Sequence, residues 1–159
     1  MKKLLFFAAM IAAITFTSCG NGVNKLPKEL REIIKEMDKD YKKALSGDDE
    51  PYIYKGVSVE DKDVIFTFQV NEDLLDEMGA KSLKELSKEF GGKEALAFTL
   101  SERVDEVAGI EEDEDEDIKL IRLLVKHKYN AVIRFIGVDE DDVVEGKISY
   151  KEMKQLLDE

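Results

Sequence analysis

Residues 52–70 read YIYKGVSVEDKDVIFTFQV, and the alternation within them calls for a half-buried sheet. Residues 52–59 are rich in aromatic and β-branched types, the composition of a strand. Asp61, Lys62 and Asp63 form a tight polar connection. Beyond it, Val64, Phe66, Phe68 and Val70 fall on one side of a second strand, with Thr67 and Gln69 on the other. Two such runs joined by so few polar residues predict a β-hairpin with one apolar face.

Helical periodicity flanks the hairpin. Upstream, Leu26, Leu30, Ile33, Met37, Tyr41 and Leu45 recur at spacings of three and four, and Lys28, Arg31, Lys35 and Lys39 occupy the opposite face. Pro27 suits the first turn and Gly47 the position past the end. Residues 46–51 make a turn. Downstream, Asn71 is placed to cap a short helix ending at Gly79. Ser82 and Glu85 have capping-box spacing, in which the hydroxyl accepts from one orphan amide and the carboxylate reaches back to another. Leu83, Leu86 and Phe90 follow on one face, and Gly91-Gly92 stop that helix. Ala95, Phe98, Val104 and Val107 suggest a further helix, although residues 98–100 also fit a strand.

The C-terminal third begins with seven consecutive acids, residues 111–117. Mutual repulsion makes them an exposed loop or a helix start, where the helix dipole favours negative charge. Ile118, Ile121, Leu124 and Val125 carry a helix on to about Lys128. Residues 129–138 read as a third strand interrupted by Arg134, and 139–142 as an acidic turn. Residues 145–149 fit a short fourth strand. Ser149 and Glu152 form a second capping box, which opens a last helix with Met153, Leu156 and Leu157 on its apolar side. Because the strands come in adjacent pairs around a helical block, the expected class is α+β. The expected architecture is an antiparallel sheet of about four strands with helices packed on one face, in two layers.

The first twenty residues have another character. Lys2 and Lys3 precede an apolar run over 4–16, which closes on Thr17-Ser18-Cys19-Gly20. A charged start, a short apolar stretch and small residues at a cut site are the layout of a secretory leader. The apolar run falls short of the ~20 residues that span a bilayer. Cys19, the chain's single cysteine, stands where the cut would fall. This layout resembles the lipobox of bacterial lipoproteins, and Phe16 three residues before the cysteine is similar to the relaxed lipoboxes of small lipoproteins from Bacteroidota-type bacteria. The resemblance implies that signal peptidase II removes residues 1–18 and that Cys19 becomes the acylated first residue. Gly20, where inner-membrane retention would resemble an aspartate, implies the outer membrane. No acidic run directly follows Cys19, which implies a domain facing the periplasm. The expected organisation is a leader over 1–18, a polar tether over 19–25 and one domain over 26–159.

Charge and composition narrow the function. The formal net charge is −12, and loss of Lys2 and Lys3 with the leader takes it to −14. An acidic surface of that size argues against nucleic acid, whose binding depends on Lys and Arg neutralising phosphates. It also argues against electrostatic adhesion to anionic lipid, since no polybasic patch is present. No second cysteine exists for a disulfide within the chain.

Candidate chemistry is sparse. His127, the single histidine, stands in the run Lys126-His127-Lys128 at an expected helix end, where a cation suits the dipole, and no motif pairs it with a nucleophile. A zinc site needs several His or Cys ligands. Asp141, Glu145 and Glu152 fall on positions one, five and twelve of a calcium loop, but Val143 offers no oxygen at position three. Glu152 is explained without metal as a capping-box residue. Tyr52, Tyr54, Phe66, Phe68 and Phe135 are candidates to line a ligand groove if the sheet's free face is open, and otherwise form core. No catalytic residue and no cofactor are expected. The leading expectation is a membrane-anchored envelope protein with a non-enzymatic binding role toward a protein or glycan. A carboxylate-dependent glycan-processing enzyme and a calcium-responsive module are the alternatives.

Overall fold

The computed structural model describes residues 22–47, 49–110 and 113–158. The expected leader over 1–18, Cys19, and Glu111 and Glu112 of the acidic run lie outside the described residues. The fold is α+β, with a four-stranded sheet in the order β1 (Tyr52–Glu60), β2 (Asp63–Val70), β3 (Asn130–Ile136), β4 (Val143–Ile148). The helices are α1 (Lys28–Ala44), α2 (Glu72–Glu77), α3 (Leu83–Glu89), α4 (Lys93–Ala108), α5 (Glu114–His127) and α6 (Tyr150–Asp158).

Local chemistry sets the ends of these elements. Asn71 accepts from the Leu74 amide and starts α2. The Ser82 hydroxyl accepts from the Glu85 amide at α3, and Glu85 reaches back one residue further than the box expects, to the Lys81 amide at 2.9 Å. Asp113 caps α5, whose first turn carries Glu114, Asp115, Glu116 and Asp117. Negative charge there meets unsatisfied amides and the positive helix end. At α6 the Ser149 and Glu152 exchange closes in both directions. Residues 98–100 are helical, with Leu100 fully buried.

The sheet is mixed, not antiparallel throughout. β1–β2 and β3–β4 are antiparallel pairs, but β2 and β3 run parallel, Asp63 opposite Asn130 and Phe68 opposite Phe135. A parallel pair needs a long crossover. Here the helices α2 to α5 supply it and return the chain to the end where β2 began.

One sheet face is covered. Tyr52, Tyr54, Val64, Phe68, Val70, Phe135 and Val144 point to it, and the described helices bury Leu30, Leu75, Leu86, Leu100, Leu124 and Met153 against the same side. The centre of this layer is aromatic. Phe68 stacks on Phe135 with ring centroids 5.5 Å apart, and Tyr41 of α1 meets Phe68 edge-on at 5.2 Å. The Tyr41 hydroxyl donates to Asp105 of α4 at 2.7 Å, which ties two helices together over the rings. Burial first, then Asp105, pushes that hydroxyl far above the usual tyrosine range.

The fold also begins earlier than the expected tether allows. Residues Val23–Lys25 form a 3-10 turn, and Val23 and Leu26 are 2% and 3% exposed. Removing a fully buried aromatic ring leaves a cavity the surroundings fill only in part. Phe68→Ala is therefore expected to lower the unfolding free energy by about 3–5 kcal/mol in urea titrations, while Thr67→Ala, on the opposite face, shifts it by about 0.5 kcal/mol or less.

Candidate functional site

The outer face of the sheet carries the site, and its side chains follow from register. Reading across β1 to β4, one row is Ile53, Gln69, Ile136, Val143. The next is Gly56, Thr67, Arg134, Glu145, and the next Ser58, Ile65, Val132, Lys147. A bulge in β1 between Tyr54 and Gly56 is what keeps Val57 and Val59 on the covered face after it. Gly56 takes φ +117°, a conformation open to glycine and strained for other residues.

A groove of about 790 Å³ runs along β1 and over this face, with Ile53, Ser58, Thr67, Arg134 and Ile136 in its wall and Gly22, Lys25 and Tyr129 near one end. Its volume falls within the range of small-ligand sites, roughly 300–1,000 Å³. Two ion-paired ladders cross the face. Arg134 joins Glu145 of β4 and lies 3.6 Å from Glu60 of β1. Lys147 of β4 meets Asp63 of β2 at 2.8 Å, and the Asn130 side chain donates to the same carboxylate at 2.6 Å. Cross-strand pairs of this kind contribute about 0.2–1 kcal/mol each. They also leave Arg134 partly exposed and positioned, with Thr67 its register partner on β2, while Ser58 lines the same groove.

Burial pushes the Asp63 carboxyl up, but the hydrogen bonds from Lys147 and Asn130 outweigh it and hold the group below the usual aspartate range. The Glu152 carboxyl is also held low, by the Ser149 hydroxyl and amide.

The five aromatic candidates do not line this groove as a set. Tyr52, Phe68 and Phe135 are at most 1% exposed on the covered face, and Phe66 packs against both core clusters. Tyr54 donates to Asp38 of α1 at 2.8 Å and alone among the five also borders the groove. The groove lies on the face their alternation points away from, and that face is not bare: Ile65 and Val132 on it are 2% and 5% exposed. Tyr52 carries the one buried side-chain polar atom without a hydrogen-bond partner among the described residues. Burial pushes its hydroxyl up to about 12, with Glu106 adding to the shift and Arg103 opposing it.

The calcium candidates are dispersed. The segment that would be the loop contains strand β4, so its side chains alternate between faces instead of converging. Glu145 pairs with Arg134, Glu152 caps α6, and Asp141 is exposed. Among the described residues no group of three His, Cys, Asp or Glu side chains is placed to hold a metal ion. His127 stands in the last turn of α5, away from the groove lining. The groove lining combines Lys25, Lys55, Ser58, Thr67 and Arg134, the acids Glu60 and Asp61, and apolar contact from Ile53 and Ile136. No family model, curated protein or solved structure matches the chain.

Two expectations follow. An unsatisfied buried hydroxyl is a cost, so Tyr52→Phe is expected to raise the urea midpoint, by the equivalent of about 1 kcal/mol. A carboxyl that titrates lower in the folded chain stabilises it above the unfolded value, about pH 4, and that stability is lost as pH falls through the folded value. Asp63→Asn is thus expected to be less stable than the parent at neutral pH. The difference closes below about pH 4 when unfolding is followed across pH.

Proposed function

We propose that the chain is an envelope lipoprotein, cut before Cys19, acylated there, and held at the outer membrane facing the periplasm, with a non-enzymatic role in binding an envelope protein or glycan. The observation that carries this reading is the N-terminal order of Lys2-Lys3, an apolar run over 4–16 and Thr17-Ser18-Cys19-Gly20. Charge, apolar length and cysteine position agree, and each belongs to a different step of export and processing. Two acyl chains on one cysteine anchor stably, because each buried methylene contributes about 0.8 kcal/mol.

The domain supports the reading in two ways. Gly22 and the turn Val23–Lys25 belong to the domain, so a folded unit lies within three residues of the acylation site. The groove on the outer sheet face supplies a recognition surface, with Arg134, Ser58 and Thr67 as donors and Ile53 and Ile136 as apolar wall. Ligand orientation by a few polar groups in an apolar wall is what such grooves do well.

Intact-mass analysis of the native protein tests it. The expected chain starts at Cys19 and carries a diacylglyceryl group. Cys19→Ser is expected to lose the acyl mass and to move from the detergent phase to the aqueous phase. A native chain that retains residues 1–18, or one with a free Cys19 thiol, overturns the reading.

A further inference from the structure

The two ends of the sheet differ in charge. At one end lie the start of the described chain, the β1–β2 turn, the entrance to β3 and the exit from β4. Contacts tie them together: Gly22 sits against Val59, the Asn130 amide donates to the Lys62 carbonyl at 2.7 Å, and the Tyr150 amide donates to the Asn130 side chain at 3.0 Å. Lys25, Lys62, Lys126, Lys128 and Lys151 are all exposed here, and none has an ion-pair partner among the described residues. Lys147 offsets Asp63, and Arg134 is shared between Glu145 and Glu60. Asp61 and Glu152, the latter hydrogen-bonded to Ser149 but still charged, stand against the five lysines. The first turn of α1 adds Lys28 and Arg31 against Glu29 and Glu32 and so leaves the balance unchanged. Lys62 lies 4.5 Å over the Tyr129 ring, which fixes one of these cations in place.

At the other end the segments 46–51, 71–78 and 137–142 contain no Lys or Arg. They do contain Glu72, Asp73 and the run Asp139, Glu140, Asp141 and Asp142. Strands of this length separate the two ends by about 25 Å. Lys81 and Lys84 stand near Asp142, which accepts from the Leu83 and Lys84 amides, and Lys42 and Lys43 close α1 just before this end. The acids here outnumber them, so the two ends differ in sign of charge.

We propose that the lysine-bearing end is a bilayer-docking surface, on which the domain stands upright against anionic lipid headgroups. This rests on acylation at Cys19 and adds an orientation and a lipid preference to it. Gly22, the first described residue, is pinned at this end. A Cβ on it would lie 2.8 Å from the Val59 Cβ, and its φ of +77° is a glycine conformation. Only Gly20 and Asn21 stand between Gly22 and Cys19, so the acylated residue is at most about 10 Å from the fold. A tether that short leaves the domain little choice of face. Phosphates attract the lysine pole, and the same negative surface repels the acidic pole. Each lysine at such a surface is worth about fivefold in the ratio of docked to undocked forms.

The chain has no tryptophan, so single substitutions report position. The acylated full chain carrying Tyr129→Trp or Asn24→Trp at the lysine pole, or Val138→Trp at the acidic pole, is placed on vesicles of phosphatidylcholine with about 30% phosphatidylglycerol, an anionic fraction chosen to give an attractive surface. Headgroup-brominated lipid serves as the quencher. Strong quenching at 129 and 24 with little at 138 is the expected result. It weakens on pure phosphatidylcholine and in about 1 M NaCl, where the Debye length is about 3 Å. Combining Lys62→Glu, Lys128→Glu and Lys151→Glu is expected to equalise the positions, while the chain still floats with the vesicles. Equal quenching at both poles in the parent, or a preference that survives salt and charge reversal, overturns the docking surface alone. A chain that fails to float overturns the anchor and the docking surface with it.

Discussion

Phe68 and Phe135 lie stacked across the junction of β2 and β3, and much of the architecture hangs on that contact. Each antiparallel hairpin has its own turn and its own ladder. The parallel seam joins them, and its covered side is held by rings from both halves and by Tyr41 of α1. Because long-range pairing is closed only after the loop entropy of the crossover is spent, the seam must be strongly favoured by burial. Two fully buried aromatic rings supply that. Helices α1 and α4, joined by Tyr41 and Asp105, then close the lid over the same rings.

What the sequence makes legible is what is local. The caps at Asn71, Ser82 and Ser149 are visible because donor and acceptor lie within three residues of one another. The apolar side of β2 is visible because its period is two. The stripe on α1 is visible as well, although the most buried line runs through Leu30 and Ile34, with Ile33 and Met37 at its margin. The direction of β3 is not visible. Nothing in residues 129–138 states which end of β2 they will join, since that depends on how a block of helices turns the chain around. The bulge at Gly56 is half visible: a glycine inside a strand pattern hints at one, but only the partner strand shows the register shift.

The candidate site was hidden by the same division. The aromatic residues that suggest a groove are the ones whose alternation commits them to the core, and Phe68 and Phe135 are fully buried there. The residues that do border the groove are the polar half of the alternation, Thr67 on β2 and Arg134 on β3. Read one strand at a time they are ordinary solvated positions. Register places Thr67 beside Arg134 and Arg134 beside Glu145, and three unremarkable residues become one row.

The parallel seam also explains the charge separation. In a four-stranded antiparallel meander the β1–β2 turn and the β3–β4 turn fall at the same end of the sheet. Lys62 would then sit beside the run 139–142, and the two would cancel. With β2 and β3 parallel, the second hairpin is inverted relative to the first, so the turns fall at opposite ends. The crossover that inverts it also delivers Lys126 and Lys128, in the last turn and cap of α5, to the end that holds Lys62. Five lysines scattered from position 25 to position 151 are therefore gathered by a single topological fact. A search for contiguous basic residues finds nothing in such a chain, because the pole is written in the strand directions and not in any one segment.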